Sequence, residues 1–226
     1  RDRLGVRPLY LVRSPGAVRF ASEVKALFAD PSVSREFDPA GLDQVLTYWS
    51  TVAPQTVFQG VEQLEPGHYA VLDDKGFRKA PYWTVSFPAR GQAGPDIRES
   101  AEALREKLVE AARLRFLRSD VPVGAYLSGG LDSSITAALV ARYTDAPLHT
   151  FSLRFSSEEF DEGRYQKEMT AVLGTQHRDI VVGPAQIAEV FPEVIRHTEA
   201  PILRAAPAPL FLLSKLVRDD GYKVVV

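Results

Sequence analysis

The chain of 226 residues is 45% hydrophobic and 25% charged, with a formal net charge of −2. That is an ordinary globular composition, with no positive excess to favour nucleic acid or an anionic membrane surface. It has no cysteine, which excludes disulfides, thiolate metal ligands and a cysteine nucleophile within these residues. No apolar run is long enough to span a bilayer, so neither membrane nor nucleic acid is expected as a partner, and a cytoplasmic location is expected. Residues 1–94 read as β-rich with helical insertions. Leu9–Arg13 and Val18–Ala21 flank a Ser-Pro-Gly turn and predict a hairpin. The stretch SEVKALFAD predicts a short helix, and DPAGLDQVLTYW another, with Asp38 as N-cap and Pro39 at the first helical position. GHYAVLDDKGFRKAPYW predicts a second hairpin turning at Asp73-Asp74-Lys75-Gly76, and FPARGQAGPD, residues 87–96, reads as a linker.

After the linker the rhythm changes. Ile97, Ala101, Leu104, Leu108 and Ala111 recur at spacings of 4, 3, 4 and 3, the signature of an amphipathic helix. Asp96 and Glu99 suit a capping-box variant at its start, while Arg113, Arg115 and Arg118 suit a solvated C-terminal end. Then follow strand VGAYL, helix DSSITAALVARY, strand LHTFSLRF, helix DEGRYQKEMTAVLG ending at Gly174, and strand HRDIVV. Helices PAQIAEVFPEVIRHTE and PLFLLSKLVRDD and a closing strand YKVVV complete the chain. Short apolar strands alternating with helices predict an α/β fold, a doubly wound parallel sheet covered on both faces. The chain opens on RDRLGVRPLYLV without a methionine and closes on a bare β-branched run, so both ends are expected to be cuts in a longer protein.

The stretch YLSGGLDSSI, residues 126–135, lies between a strand and a helix. Open parallel sheets bind ligands beyond the carboxyl ends of their strands, and a helix N-terminus offers unpaired N–H groups and partial positive charge to an anion. Gly129 and Gly130 let the backbone approach a ligand closely, and Ser128, Ser133 and Ser134 add hydroxyls. Asp132 would repel a phosphate unless a divalent cation lies between them, and Mg²⁺ favours one or two carboxylates plus phosphate oxygens. The loop therefore predicts a magnesium–polyphosphate site. The bland alternative is a tight Gly-Gly turn with Asp132 as a helix cap. The pattern fits neither GxxxxGK[ST] nor GxGxxG.

SGGxDSS resembles the pyrophosphate loop of the ATP pyrophosphatases. With its flanks, DVPVGAYLSGGLDSS is similar to the synthetase domain of glutamine-dependent asparagine synthetases. RDRLGVRPLY with RFASEVKAL, TVFQGVEQLEPGHYAV, FDEGRYQKEMTAVLGTQH and EAPILRAAPAPLFLLSK extend the resemblance across nearly the whole chain. It implies residues 1–94 as the end of an N-terminal nucleophile glutaminase domain with a connecting segment. Residues 95–226 would be an ATP-pyrophosphatase domain of the adenine nucleotide alpha hydrolase-like fold, truncated at its C-terminus. It implies amidation of aspartate through an acyl-adenylate, with ATP and Mg²⁺ as cofactors, aspartate and glutamine-derived ammonia as further small-molecule partners, and a homodimer as a possible assembly.

Carried over by position, Ser128, Gly129, Gly130, Leu131, Asp132 and Ser133 would hold the pyrophosphate, with Asp132 the magnesium contact and Asp132 and Ser128 the catalytic pair. Leu127 and Leu153 would touch the adenosine, or be plain sheet core. The family's cysteine and its second Gly-rich acidic segment are not among these residues, so the chain alone is expected to be inactive. A related carboxylate-activating enzyme, such as a β-lactam synthetase or lasso peptide cyclase, and a non-catalytic scaffold stay open. Of the other residues, Asp161 and Glu162 read as a helix cap before a magnesium pair, and Arg204 as a carboxylate ligand or a surface residue. His68, His149, His177 and His197 read as structural.

Overall fold

Residues 1–91, 94–144 and 147–226 are described by the computed structural model. Positions 92 and 93 of the predicted linker lie outside the described residues. The chain divides into two compact units, Arg1–Gly91 with Ile195–Arg204, and Gln92–Val194 with Ala205–Val226. No helix among the described residues is long and apolar enough to cross a membrane.

In the first unit, β1 (Tyr10–Ser14) and β2 (Ala17–Ala21) form the predicted hairpin, with Ser14 opposite Ala17. Helix α1 (Val24–Leu27) and helix α2 (Pro39–Tyr48) follow. Asp38 caps α2 by accepting the Ala40 N–H at 2.8 Å, and Pro39, which needs no donor there, opens the helix. A strand not foreseen from the sequence, β3 (Val61–Gln63), pairs with β1 to give the order β2-β1-β3. Three residues show too little alternation to be read from sequence. Strands β4 (His68–Asp73) and β5 (Gly76–Pro81) form the second predicted hairpin, closing with Asp73 opposite Gly76. Val24, Leu27, Val33 and Val61 make the core of this unit.

The second unit opens with α3 (Ile97–Leu117), whose N-cap Asp96 accepts from the Arg98 and Glu99 N–H groups at 2.6 and 2.9 Å. The helix is as predicted, but its buried face is not. Ile97 is 84% and Leu104 59% exposed, while Ala112 and Phe116, one turn apart, enter the core. Only the C-terminal end of α3 packs into the apolar cluster, so the earlier part of the stripe has no cover among the described residues.

Four strands follow: β6 (Val123–Tyr126), β7 (His149–Phe155), β8 (Gln176–Val182) and β9 (Val224–Val225). They form an all-parallel sheet in the order β8-β7-β6-β9. Between them run α4 (Leu131–Tyr143), α5 (Gly163–Leu173), α6 (Pro184–Thr198) and α7 (Pro207–Asp219). Val123, Ala125 and Leu127 point into one cluster with Ala137 and Val140 of α4, while Tyr126 packs into a second with Leu213 and Val217 of α7. Alternate residues of one strand thus enter cores on opposite faces, the geometry of a parallel sheet covered on both sides. This is the α/β doubly wound architecture expected. Because β6 has β7 on one side and β9 on the other, the direction of winding reverses at β6, and ligand crevices of such sheets open beyond that strand's carboxyl end.

Candidate functional site

The chain leaves the sheet at that point. Leu127 is fully buried, and its N–H donates to the Phe151 carbonyl at 2.9 Å. The next residues turn sharply. Gly129 has φ of +87°, a left-handed conformation disfavoured for L side chains, and a Cβ there would fall 2.9 Å from Tyr165 Cβ. Gly130 then serves as the N-cap of α4 without a side-chain hydrogen bond.

Ser128 and Ser133 brace the loop. The Ser128 N–H donates to Ser133 Oγ at 3.1 Å, and the two hydroxyls meet at 2.9 Å. The Gly130 N–H donates to Ser128 Oγ at 3.2 Å, and the Ser133 hydroxyl donates to the Gly130 carbonyl at 3.2 Å. The N–H groups of Gly129, Leu131, Asp132 and Ser133 have no acceptor among the described residues. They sit where a helix's partial positive charge concentrates. Ser134 Oγ is buried without a partner and so does not offer its hydroxyl at the loop surface. Asp132, exposed in the first turn, makes no side-chain hydrogen bond or ion pair among the described residues, so it is not a cap. A free carboxylate beside unpaired donors is what a cation-bridged anion requires. No group of three or more metal-ligating side chains occurs among the described residues. Within the loop, Asp132 supplies the single carboxylate that a cation would have.

A pocket of about 190 Å³ adjoins the loop, lined by Leu127, Ser128, Leu153, Phe155, Phe160 and Glu162 among others. The two leucines come from adjacent parallel strands and meet there, although Leu127 also belongs to the α4 core cluster. Two buried side chains fix the strand ends beneath. Ser152 donates its hydroxyl to the Leu127 carbonyl. Gln166 donates Nε2 to the carbonyls of Leu153 at 2.9 Å and Ser128 at 3.3 Å. Neither was singled out from the sequence. A signal for Gln166 existed: it precedes Met169 by three and Leu173 by seven residues, which puts an amide on the apolar face of α5.

Asp161 accepts from Arg154 at 2.9 Å and from the Gly163 N–H at 3.2 Å. The Arg154 guanidinium holds its carboxyl below the usual range. The Asp161 carboxylate ties β7 to the first residue of α5, while the N-cap position itself is Glu162, which makes no side-chain cap bond and lines the pocket. His177 bonds Thr150 Oγ1 at 2.9 Å, and burial lowers its basicity. His149 packs against the Tyr222 ring at 5.0 Å, and His68 Nδ1 lies 2.9 Å from the Pro66 carbonyl. Arg204 lies over the Trp49 ring at 5.8 Å in the first unit and has no carboxylate partner among the described residues. Arg115 turns back on the Ala111 carbonyl at 3.1 Å.

The sequence model of the family described as asparagine synthase matches residues 103–226, and that of a glutamine amidotransferase domain matches residues 1–83. The chain is 28% identical to asparagine synthetase [glutamine-hydrolyzing] 3 of Bacillus subtilis, over 97% of this chain and 38% of that protein. It is 30% identical to asparagine synthetase [glutamine-hydrolyzing] 1 of the same organism, over 95% of this chain and 33% of that one. It is also 27% identical to amidase chyE of Penicillium rubens, over 100% of this chain and 35% of that protein. The chain thus spans 33–38% of the length of these relatives. Among solved structures, the NH3-dependent NAD synthetase of Campylobacter jejuni aligns with 54% of each chain at 20% identity and a TM-score of 0.38.

Proposed function

From a chain that belongs to the asparagine synthase family, we propose the nucleotide-binding part of a synthetase that converts aspartate to asparagine at the expense of ATP. The observation that carries this reading is the 128–133 loop. It joins unpaired N–H groups and an unengaged Asp132 at the winding reversal of a parallel sheet, beside a pocket between two strand ends.

In the reading, the side-chain carboxylate of aspartate attacks the α-phosphorus of ATP. The bond from that phosphorus to the bridging oxygen breaks, and pyrophosphate leaves. Ammonia then attacks the acyl carbon, and AMP departs as asparagine forms and a proton is released. The N–H groups of Gly129, Leu131, Asp132 and Ser133 receive the negative charge that grows on the leaving pyrophosphate. They are already oriented by the helix and need no rearrangement at that moment. Ser128 and Ser133 hold the loop in shape, and Gly130 keeps it open. Leu153 offers an apolar wall to the adenine, and the fully buried Leu127 backs the pocket from the α4 core. Asp132 would hold Mg²⁺, which neutralises phosphate charge when bound. The amidotransferase match over residues 1–83 supports glutamine as the source of ammonia. A cytoplasmic location and a homodimeric assembly complete the reading, as does division of labour between residues 1–94 and 95–226.

The test is ³¹P NMR on the full-length protein with Mg-ATP, aspartate and ammonium. AMP and pyrophosphate, dependent on both aspartate and ammonium, are expected. AMP release with a different carboxylate would keep the loop chemistry and replace the substrate. ADP and phosphate would refute the pyrophosphatase reading.

A further inference from the structure

Gln166 occupies the first turn of α5 and is 2% exposed. A buried amide is costly unless its polar atoms are bonded. An amide NH2 carries two donors, and here both go to main-chain carbonyls, Leu153 at 2.9 Å and Ser128 at 3.3 Å. Those two acceptors fix the amide's orientation, because the reverse would set Oε1 against both carbonyls.

Their location gives the bonds a consequence. The ladder between β6 and β7 closes with Leu127 N–H on the Phe151 carbonyl, whereas β7 continues beside β8 as far as Phe155 opposite Val182. Beyond Leu127 no backbone bond joins the departing chain to β7 among the described residues. The Ser152 hydroxyl still reaches the Leu127 carbonyl from β7, and the Gln166 side chain carries the tie one residue further, to Ser128. The same turn of α5 forms the floor of the loop, since a Cβ on Gly129 would lie 3.2 Å from Gln166 N. The remaining amide oxygen, Oε1, is buried without a partner, an arrangement that core packing alone does not favour.

We propose that Gln166 is a positioning residue that couples the two halves of the nucleotide site. It ties Ser128, on the anion loop, to Leu153, on the wall of the adjoining pocket, and so fixes the span between them. This rests on the reading of the loop and pocket as the phosphate and adenosine sites. Gln166 need not touch the nucleotide. A ligand that occupies both halves at once senses the span, and a ligand that occupies one half does not.

The experiment is titration of the full-length protein and its Gln166→Met variant with Mg-ATP, adenosine and Mg-pyrophosphate, alongside thermal unfolding. The variant is expected to raise the Kd for Mg-ATP about tenfold, as loss of one to two hydrogen bonds would. The Kd values for adenosine and for Mg-pyrophosphate are expected to stay within about twofold, since neither ligand spans the tie. Gln166→Asn keeps the amide but shortens its reach, and it carries the same expectation should the methionine variant not fold. Unchanged Mg-ATP affinity with a lowered unfolding temperature would make Gln166 a core residue only and overturn the proposal. An equal loss for all three ligands would also overturn it, as general loosening. A wild-type protein that binds neither adenosine nor Mg-pyrophosphate would refute the nucleotide reading itself, and the coupling with it.

Discussion

Gly129→Ala tests the loop where its geometry is most restrictive. Gly129 has φ of +87°, and an added methyl would lie 2.9 Å from Tyr165 Cβ and 3.2 Å from Gln166 N. The left-handed backbone costs an alanine about 1–2 kcal/mol. The contacts are with a β-carbon and a main-chain nitrogen, which cannot swing aside, and such overpacking adds about 1–3 kcal/mol. Gly174→Ala is the matched control. Gly174 has φ of +62°, and a methyl added there would meet nothing within 4 Å, so it isolates the backbone cost. Both variants should lower the unfolding temperature, Gly129→Ala by the larger margin. Mg-ATP affinity should fall with Gly129→Ala alone, by about tenfold or more, because every 1.4 kcal/mol diverted into opening the loop is a factor of ten. Calorimetric titration and a melting curve measure both. Equal destabilisation by the two variants, with Mg-ATP binding intact, would show that α5 does not constrain the loop, and the account of the site would fail.

Asp132→Asn should leave the unfolding transition within about 0.5 kcal/mol of wild type, since its carboxylate has no partner to lose. It should nevertheless weaken Mg-ATP binding by about tenfold or more, and the magnesium dependence of that binding, followed by titration with and without the metal, should flatten. Leu153→Trp should fill much of the 190 Å³ pocket and abolish adenosine binding while Mg-pyrophosphate binding persists, a contrast that ligand competition reads directly. Asp161 has its folded-state pKa lowered, chiefly by the hydrogen bond from Arg154, below the ordinary value of 3.8. Its contribution to stability is therefore present above pH 3.8 and lost as pH falls through the folded value. Asp161→Asn should remove that part of the acid dependence in a pH series of unfolding curves and leave the profile above pH 6 parallel to wild type, about two units clear of the ordinary carboxylate range.

What could be read from the sequence was local. Asp38 and Pro39 announce a helix because a cap and a fixed φ act within one turn. Pro15-Gly16 and Asp73 to Gly76 announce hairpins because the turn residues carry their own backbone preference. The strand-to-helix junction at SGGLDSS could be placed for the same reason, together with the residues whose chemistry an anion site needs. Pairing across the chain was not readable. Nothing local reveals that β9 lies beside β6, and this adjacency makes β6 the point where winding reverses. Nor does the stripe on α3 say which of its residues are covered. Only the partners decide that Phe116 is buried and Ile97 is not. Asp132 shows the division most plainly. Its type and position suggested a cation, but that its carboxylate stays unengaged depends on Gly130 capping α4 and on Ser128 and Ser133 closing the loop by themselves. Gln166 marks the other side. An amide on an apolar helix face was visible in the sequence, yet its meaning depends on two carbonyls, one on strand β7 and one on the loop after β6, 13 and 38 residues earlier in the chain. Sequence determined which groups were on offer, because side-chain chemistry and turn preference act over a few residues. Tertiary structure decided which of those groups met, because hydrogen bonds and packing between distant strands exist only once the sheet has formed.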